Sequence, residues 1–239
     1  MEEGYGQFCT VARATGVLCE RWTLLVVREL LCGSRHFNDL HRGVPRMSTS
    51  LLAQRLRRLE EFGVVQRRPD GKVWEYRLTE AGEALRPIVM ALGHWGARWI
   101  GSRLADAELD VGLLLWDMRR SVRIEEFPLE GVIIQFWFRD AHTGEQDWWM
   151  LVEHGAVDLC RDDPGRVPTL VVDTTVRALT EVWTGDRDSR EVLESGELTV
   201  KGRERDARNL WRWLGTGTFA QTRQAALDGN DARPEPLRQ

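Results

Sequence analysis

Between Ser48 and Gly63 the chain reads STSLLAQRLRRLEEFG, and no other stretch constrains its fold as much. At about 100° per residue, Leu52, Leu56 and Leu59 share one face, with Leu51 and Phe62 flanking it. Ser50, Gln54, Arg57 and Glu61 lie opposite, with Arg58 nearby. The spacing predicts an amphipathic helix with Ser48 as its N-cap. Its leucines require a core, so the helix cannot stand alone. Its outer face carries hydroxyl, amide and guanidinium groups, with an acid only near the C-terminal end. Such a face suits either water or an anionic partner. Arg55 falls about 60° from Leu52, so a structural or phosphate-positioning role fits it better than base reading.

The flanking segments say what surrounds this helix. ERWTLLVVRELLCG (20–33) reads as a helix with Trp22, Leu25, Val26, Glu29, Leu30 and Cys32 in a mostly apolar segment, stopped at Gly33. HFNDLHRG (36–43) reads as a short helix, and Pro45 marks a loop. VVQRRPDGKVWEYRL (64–78) changes period. Its β-branched and aromatic residues flank the turn signal PDGK, which predicts a hairpin carrying Arg67, Arg68 and Lys72. Thr79 then caps a helix running to about residue 100, in which Pro87 bends the chain or sits in the first turns. Leu85, Ile88, Leu92, Trp95 and Trp99 are spaced 3, 4, 3, 4, an apolar seam for a partner helix from this chain or from a second copy.

Helix, short helix, polar-faced helix and basic hairpin is the order of a winged helix-turn-helix. A helix fits the major groove, where Gln pairs with adenine and Arg with guanine. A basic hairpin reaches flanking phosphates or the minor groove. A single charged run is more often a solvated face; the ordered combination favours double-stranded DNA. The DNA-contact candidates are Ser48, Ser50, Gln54, Arg57, Arg58, Arg67, Arg68 and Lys72. Gln54 and Arg57 are expected nearest base edges, with Ser50 and Arg58 at phosphates. Charge agrees: residues 1–105 carry 16 Lys and Arg against 11 Asp and Glu, the remainder 17 against 26. A basic half joined to an acidic half predicts two domains with different partners.

These residues resemble the HxlR family of bacterial regulators. The likeness runs over about residues 8–100. It rests on Cys9; Glu20, Arg21, Trp22 and Thr23; Arg35, Phe37, Asn38, Asp39 and Leu40; Ser48, Leu51, Gln54, Arg55 and Leu56; and Leu78, Thr79 and Gly82. The resemblance implies a homodimeric winged-helix transcription factor, reading half-sites about one helical turn apart. In some members the N-terminal cysteine senses electrophiles or oxidants, which makes Cys9 a redox candidate, with Arg13 near enough in sequence to lower its pKa. The plainer expectation is that Cys9, Cys19 and Cys32 are small buried hydrophobes. Cys19 and Cys32 depart from the family pattern.

From residue 120 the pattern becomes strand-rich. Strands are predicted at 131–140, as a pair within 146–160, and at 169–175. Two helices follow, then a strand at 197–202 and an amphipathic helix at 204–215. That order predicts an α+β layer with helices over a mostly antiparallel sheet. With W-x-L-V-x-x-G at 149–155, TLVVDTT at 169–175 and L-x-S-G-E-L-T-V-x-G at 193–202, it resembles the sterol-carrier-protein type of lipid-binding domain over about 115–220. The resemblance implies a hydrophobic tunnel for an apolar ligand. Trp137, Trp148, Trp149 and Trp183 are candidates to line it, although large aromatics equally fill cores. Trp148 and Trp149 are adjacent, so in a strand they face opposite ways and only one can enter a given pocket.

The expected fold class is therefore α+β. A winged helix-turn-helix (1–102) and a bridging helix (103–118) precede a sterol-carrier-like domain (119–225) and a disordered tail (226–239). The five histidines show no ligand spacing, the four cysteines no CxxC pair, and no catalytic motif stands out. No enzyme activity, metal or cofactor is expected. No apolar run reaches the roughly 20 residues of a membrane span. The opening MEEGYGQFCT lacks the basic-then-apolar layout of a secretory leader, so a cytoplasmic location is expected. The expected function is DNA-binding regulation by a homodimer that responds to a small apolar ligand or thiol stress. The alternative is a lipid or small-molecule carrier whose helical domain is mainly a dimerisation platform.

Overall fold

The structure is a computed structural model that describes residues 6–100 and 104–229. It divides into two compact units after Leu92.

The first unit opens with α1 (Thr10–Leu18), which the sequence reading lacked, followed by α2 (Thr23–Leu31). α2 begins three residues later than expected because Trp22 adopts φ 79° and breaks the helical path. Helices α3 (Phe37–Gly43) and α4 (Thr49–Glu61) complete the helical layer. Leu52, Leu56 and Leu59 of α4 are fully buried with Val26, Val27 and Leu30 of α2 and Leu40 of α3. The apolar stripe read from the sequence is therefore the face that packs. Strands β1 (Val65–Asp70) and β2 (Val73–Leu78) form the antiparallel hairpin, closed over Gly71 at φ 58° and Lys72. The Tyr76 amide donates to the Arg35 carbonyl at 2.7 Å, which ties the segment before α3 to the wing.

The helix expected after Thr79 is interrupted. Thr79 caps the short α5 (Glu80–Glu83) through the Gly82 amide, and α6 (Arg86–Trp99) starts afresh with Pro87 in its first turn, where proline is tolerated. Leu85 lies in the break. It packs with Val89 against the first core and leaves the expected seam. Ile88, Leu92, Trp95 and Trp99 remain exposed along α6.

The second unit holds a five-stranded sheet built from β3 (Val132–Phe138), β4 (Asp147–Glu153), β5 (Ala156–Cys160), β6 (Leu170–Thr174) and β7 (Thr199–Gly202). Its order is β5-β4-β3-β6-β7, antiparallel except for the central β3–β6 pair. The helices are α7 (Val111–Ser121), α8 (Val176–Thr184), α9 (Ser189–Glu194), α10 (Glu204–Leu214) and α11 (Ala220–Leu227). The even-numbered residues of β3, Val132 to Phe138, join Met150, Val152, Leu170 and Val172 in one core with Leu115, Leu179 and Trp213 of the helices.

Two expectations need correction here. Of the expected bridging helix 103–118, residue 103 lies outside the described residues, and the rest is α-helical only from Val111, where the helix is capped by Asp110 and buries Val111, Leu114, Leu115 and Met118 in the second core. The expected disordered tail begins inside α11, which runs to Leu227; residues 230–239 lie outside the described residues. Among the described residues, no helix is long and apolar enough to cross a membrane.

Candidate nucleic-acid interface

Helix α4 carries the site, and its start is set by Ser48. The Ser48 hydroxyl accepts from the Leu51 amide at 3.3 Å and lies 3.2 Å from the Ser50 hydroxyl. Ser48 is thus engaged in capping, where a serine oxygen satisfies an otherwise orphaned amide. With the leucine face buried, Ser50, Gln54 and Arg57 are left exposed on the opposite side. They form a row along the outer face, as their helical angles require.

The other two arginines of α4 are placed differently. Arg55 is 15% exposed; its Nη1 lies 2.6 Å from the Glu20 carboxylate and its Nε donates to the Arg21 carbonyl at 3.2 Å. Arg58 Nε lies 3.6 Å from the other Glu20 oxygen, and its guanidinium sits 4.7 Å over the Phe62 ring. Arg58 was expected at phosphate, but the structure turns it toward Glu20 and Glu61. Neither the Glu20 contact nor the exposed Arg46, two residues before the cap, was anticipated. For Arg46 the signal was available: a basic residue beside the helix N-terminus. For Glu20 there was none, because the contact spans 35 residues.

The wing presents a mixed set. Arg67 stacks 4.3 Å over Trp74 and lies 3.7 Å from Glu60. Arg68 donates to the Gln66 side chain at 3.1 Å, and Lys72 stands at the exposed tip. At the base of the hairpin, the Arg77 guanidinium holds the Glu75 carboxyl below its ordinary range through a 2.7 Å pair.

The cysteine expectations change. Cys9, Cys19 and Cys32 are exposed, not buried. Cys9 precedes α1 as its cap residue, with no side-chain capping bond. Cys160 is partly buried, and desolvation followed by Asp162, Asp158 and Asp163 raises its thiol above the ordinary range. Among the described residues no cluster of His, Cys, Asp and Glu could hold a metal ion.

The four tryptophans proposed for a ligand tunnel do not converge. Trp183 is a core residue whose Nε1 donates to Asp117 at 2.8 Å. Trp148 leans on the same core from β4. Trp149 pairs with Gln135 across the sheet, and Trp137 lies two residues farther along β3, so both belong to the opposite face. A cleft of about 420 Å³ in this unit is lined instead by Glu126, Arg205, Asp206, Asn209, Arg212 and Trp213, a mostly polar set.

Comparison with known proteins bears on the first unit. The HxlR-like helix-turn-helix family model matches residues 17–103. The uncharacterized HTH-type transcriptional regulator YvaP of Bacillus subtilis is 38% identical over 97 residues, 39% of this chain and 90% of that protein. The uncharacterized HTH-type transcriptional regulator Rv3095 of Mycobacterium tuberculosis is 43% identical over 96 residues, 38% of this chain and 59% of that protein. The chain thus spans little more than half of the mycobacterial relative. Among solved structures, the reduced form of the transcriptional regulator YodB from B. subtilis is 28% identical, covering 39% of this chain and 95% of that one, with a TM-score of 0.35. The match takes in α2 to α6 and the hairpin, the elements that build and flank the exposed Ser50–Gln54–Arg57 row, and the chain belongs to the HxlR-like helix-turn-helix family.

Proposed function

We propose that the protein is a DNA-binding transcriptional regulator acting as a homodimer in the cytoplasm. The observation that carries this reading is the outward row Ser50, Gln54 and Arg57 on a helix anchored by three buried leucines. Such a helix enters a major groove with its amide and guanidinium at base-edge height. The wing, with Arg68 and Lys72 exposed, supplies sequence-independent phosphate contacts. Ile88, Leu92, Trp95 and Trp99 form the surface for a second copy, since an exposed stripe of this size is costly in water.

The second unit adjusts DNA affinity in this reading. Helices α7 to α10 share one core with a mostly antiparallel sheet, which supports the sterol-carrier likeness. A ligand acts by its different affinity for the two states of the dimer, and by no more than that difference. Exposed Cys9 offers a separate thiol input. Replacing it by serine abolishes the loss of DNA binding on diamide treatment if this input operates, and leaves that loss intact if it does not.

Salt-titrated binding to the DNA upstream of the protein's own gene tests the core of the proposal. Preference over scrambled duplex, with affinity falling steeply as salt rises, is the expected result. Weak, sequence-blind binding overturns it in favour of a carrier whose helical unit only dimerises. Native mass spectrometry after gentle purification tests the ligand: a co-purified apolar molecule supports it, a ligand-free protein removes it.

A further inference from the structure

Glu20 stands outside the helix-turn-helix proper, in the turn between α1 and α2, yet it meets two side chains of α4. The turn is held in an uncommon shape. Trp22 has φ 79°, a region that bulky residues rarely adopt, and its side chain packs against the first core. The Thr23 amide donates back to the Glu20 carbonyl at 3.0 Å. In this conformation the Glu20 carboxylate and the Arg21 carbonyl both point at Arg55, and the second carboxylate oxygen reaches Arg58. The carboxylate is only 25% exposed, so water screens these pairs less than open surface pairs. Arg57, between them in sequence, is exposed and makes no ion pair among the described residues.

We propose that Glu20 is a positioning residue for DNA recognition: it neutralises the inner arginines of α4 and withholds them from phosphate, so that Arg57 is the guanidinium of this helix that meets DNA. The inference rests on the reading of α4 as the groove helix. Its physical content is a matter of differences. A guanidinium on phosphate raises affinity for every sequence alike, adding about 0.9 to the slope of log affinity against log salt. It gives no discrimination. Withholding such contacts lowers binding to wrong sites while the base-reading contacts remain, and specificity is that difference. Arg55 keeps a second anchor on the Arg21 carbonyl, whereas Arg58 keeps only longer contacts such as the 3.8 Å approach to the more exposed Glu61 and its place over the Phe62 ring, so Arg58 is the side chain that loss of the Glu20 charge loosens toward phosphate.

The test uses the full chain, a scrambled duplex and the protein's own upstream DNA, with binding followed by fluorescence anisotropy across a salt series. Glu20→Gln is expected to steepen the slope on scrambled DNA by about 0.9. It is also expected to lower the ratio of upstream to scrambled affinity. Adding Arg58→Gln to that variant returns the slope to the wild-type value. A cooperatively melting E20Q with an unchanged or shallower slope overturns the proposal, as does a steepening that survives in E20Q/R58Q. Should E20Q not fold, R58Q alone decides: an unchanged slope supports the proposal, and a fall of about 0.9 shows that Arg58 already sat on phosphate. A wild-type protein with neither slope nor preference overturns the groove reading and this inference together. A wild type with both, beside an unchanged E20Q, removes the role of Glu20 alone.

Discussion

Gly43 lies so close to Glu29 that a β-carbon at position 43 would overlap the Glu29 carboxyl group. That carboxylate is completely buried. It accepts from Arg28 Nη2 at 2.6 Å and from the Ser34 hydroxyl at 3.3 Å. The same Arg28 nitrogen donates to the Gly43 carbonyl at 3.1 Å, so one charged cluster joins the end of α3 to α2. A buried carboxylate persists only with such partners. Gly43→Ala is expected to cost about 1–3 kcal/mol, the usual range for overpacking a filled site. The midpoint of urea unfolding reads this directly. An unchanged midpoint would mean that the carboxyl moves aside at no cost.

Gln54 stands on the exposed row of α4. Gln54→Ala is expected to relax preference at one base pair by about 1–3 kcal/mol while leaving binding to scrambled DNA nearly intact. A binding series over single-base variants of the upstream site measures it. Equal weakening on every sequence would assign Gln54 to the backbone instead.

Trp95 is 55% exposed at the middle of the α6 stripe. A charge there would have to be desolvated on pairing with a second copy. Trp95→Glu is therefore expected to shift the protein toward monomer in sedimentation velocity and to weaken DNA binding through loss of the second half-site. A variant that keeps the wild-type sedimentation coefficient would remove this stripe from the interface.

Glu197 shows how the second unit responds to acid. Arg187 lies 2.7 Å from its carboxylate and the Ser195 hydroxyl 3.0 Å, and these hydrogen bonds push its pKa from the ordinary 4.5 down to about 2. A depressed carboxyl pKa stabilises the fold above the unfolded value, and that contribution is lost as pH falls through the folded one. Glu197→Gln is accordingly expected to melt below wild type at pH 7, with the gap closing between pH 4.5 and about 2. The carboxylate is half-exposed, so the gap is small. A gap that stays constant from pH 7 to pH 2 would show that the pair contributes nothing through its charge.

What the amino-acid sequence determined by itself is local. The 3.6-residue period placed Leu52, Leu56 and Leu59 in the core and Ser50, Gln54 and Arg57 outside it, because helical angle follows from spacing alone. The turn residues Asp70-Gly71 and the change to period two located the hairpin, and short apolar and aromatic runs located the five strands of the second unit. The short helices α1 and α11 escaped this reading. α11 carries little apolar patterning, and the nine-residue α1 starts after Cys9 with no side-chain cap to mark it. The parallel pairing of β3 with β6 was equally hidden, since spacing along a strand says nothing of its neighbour's direction. Tertiary structure alone decided the partners. The Glu20 carboxylate on Arg55 and Arg58, the Glu29 carboxylate under Gly43 and the separation of Trp137 and Trp149 from Trp148 and Trp183 join or divide residues far apart in the chain. Side chains of one type then differ in role by what the fold places against them. Arg55 and Arg57 are two residues apart on one helix, and a carboxylate from another turn separates the arginine that is tied into the structure from the one left exposed.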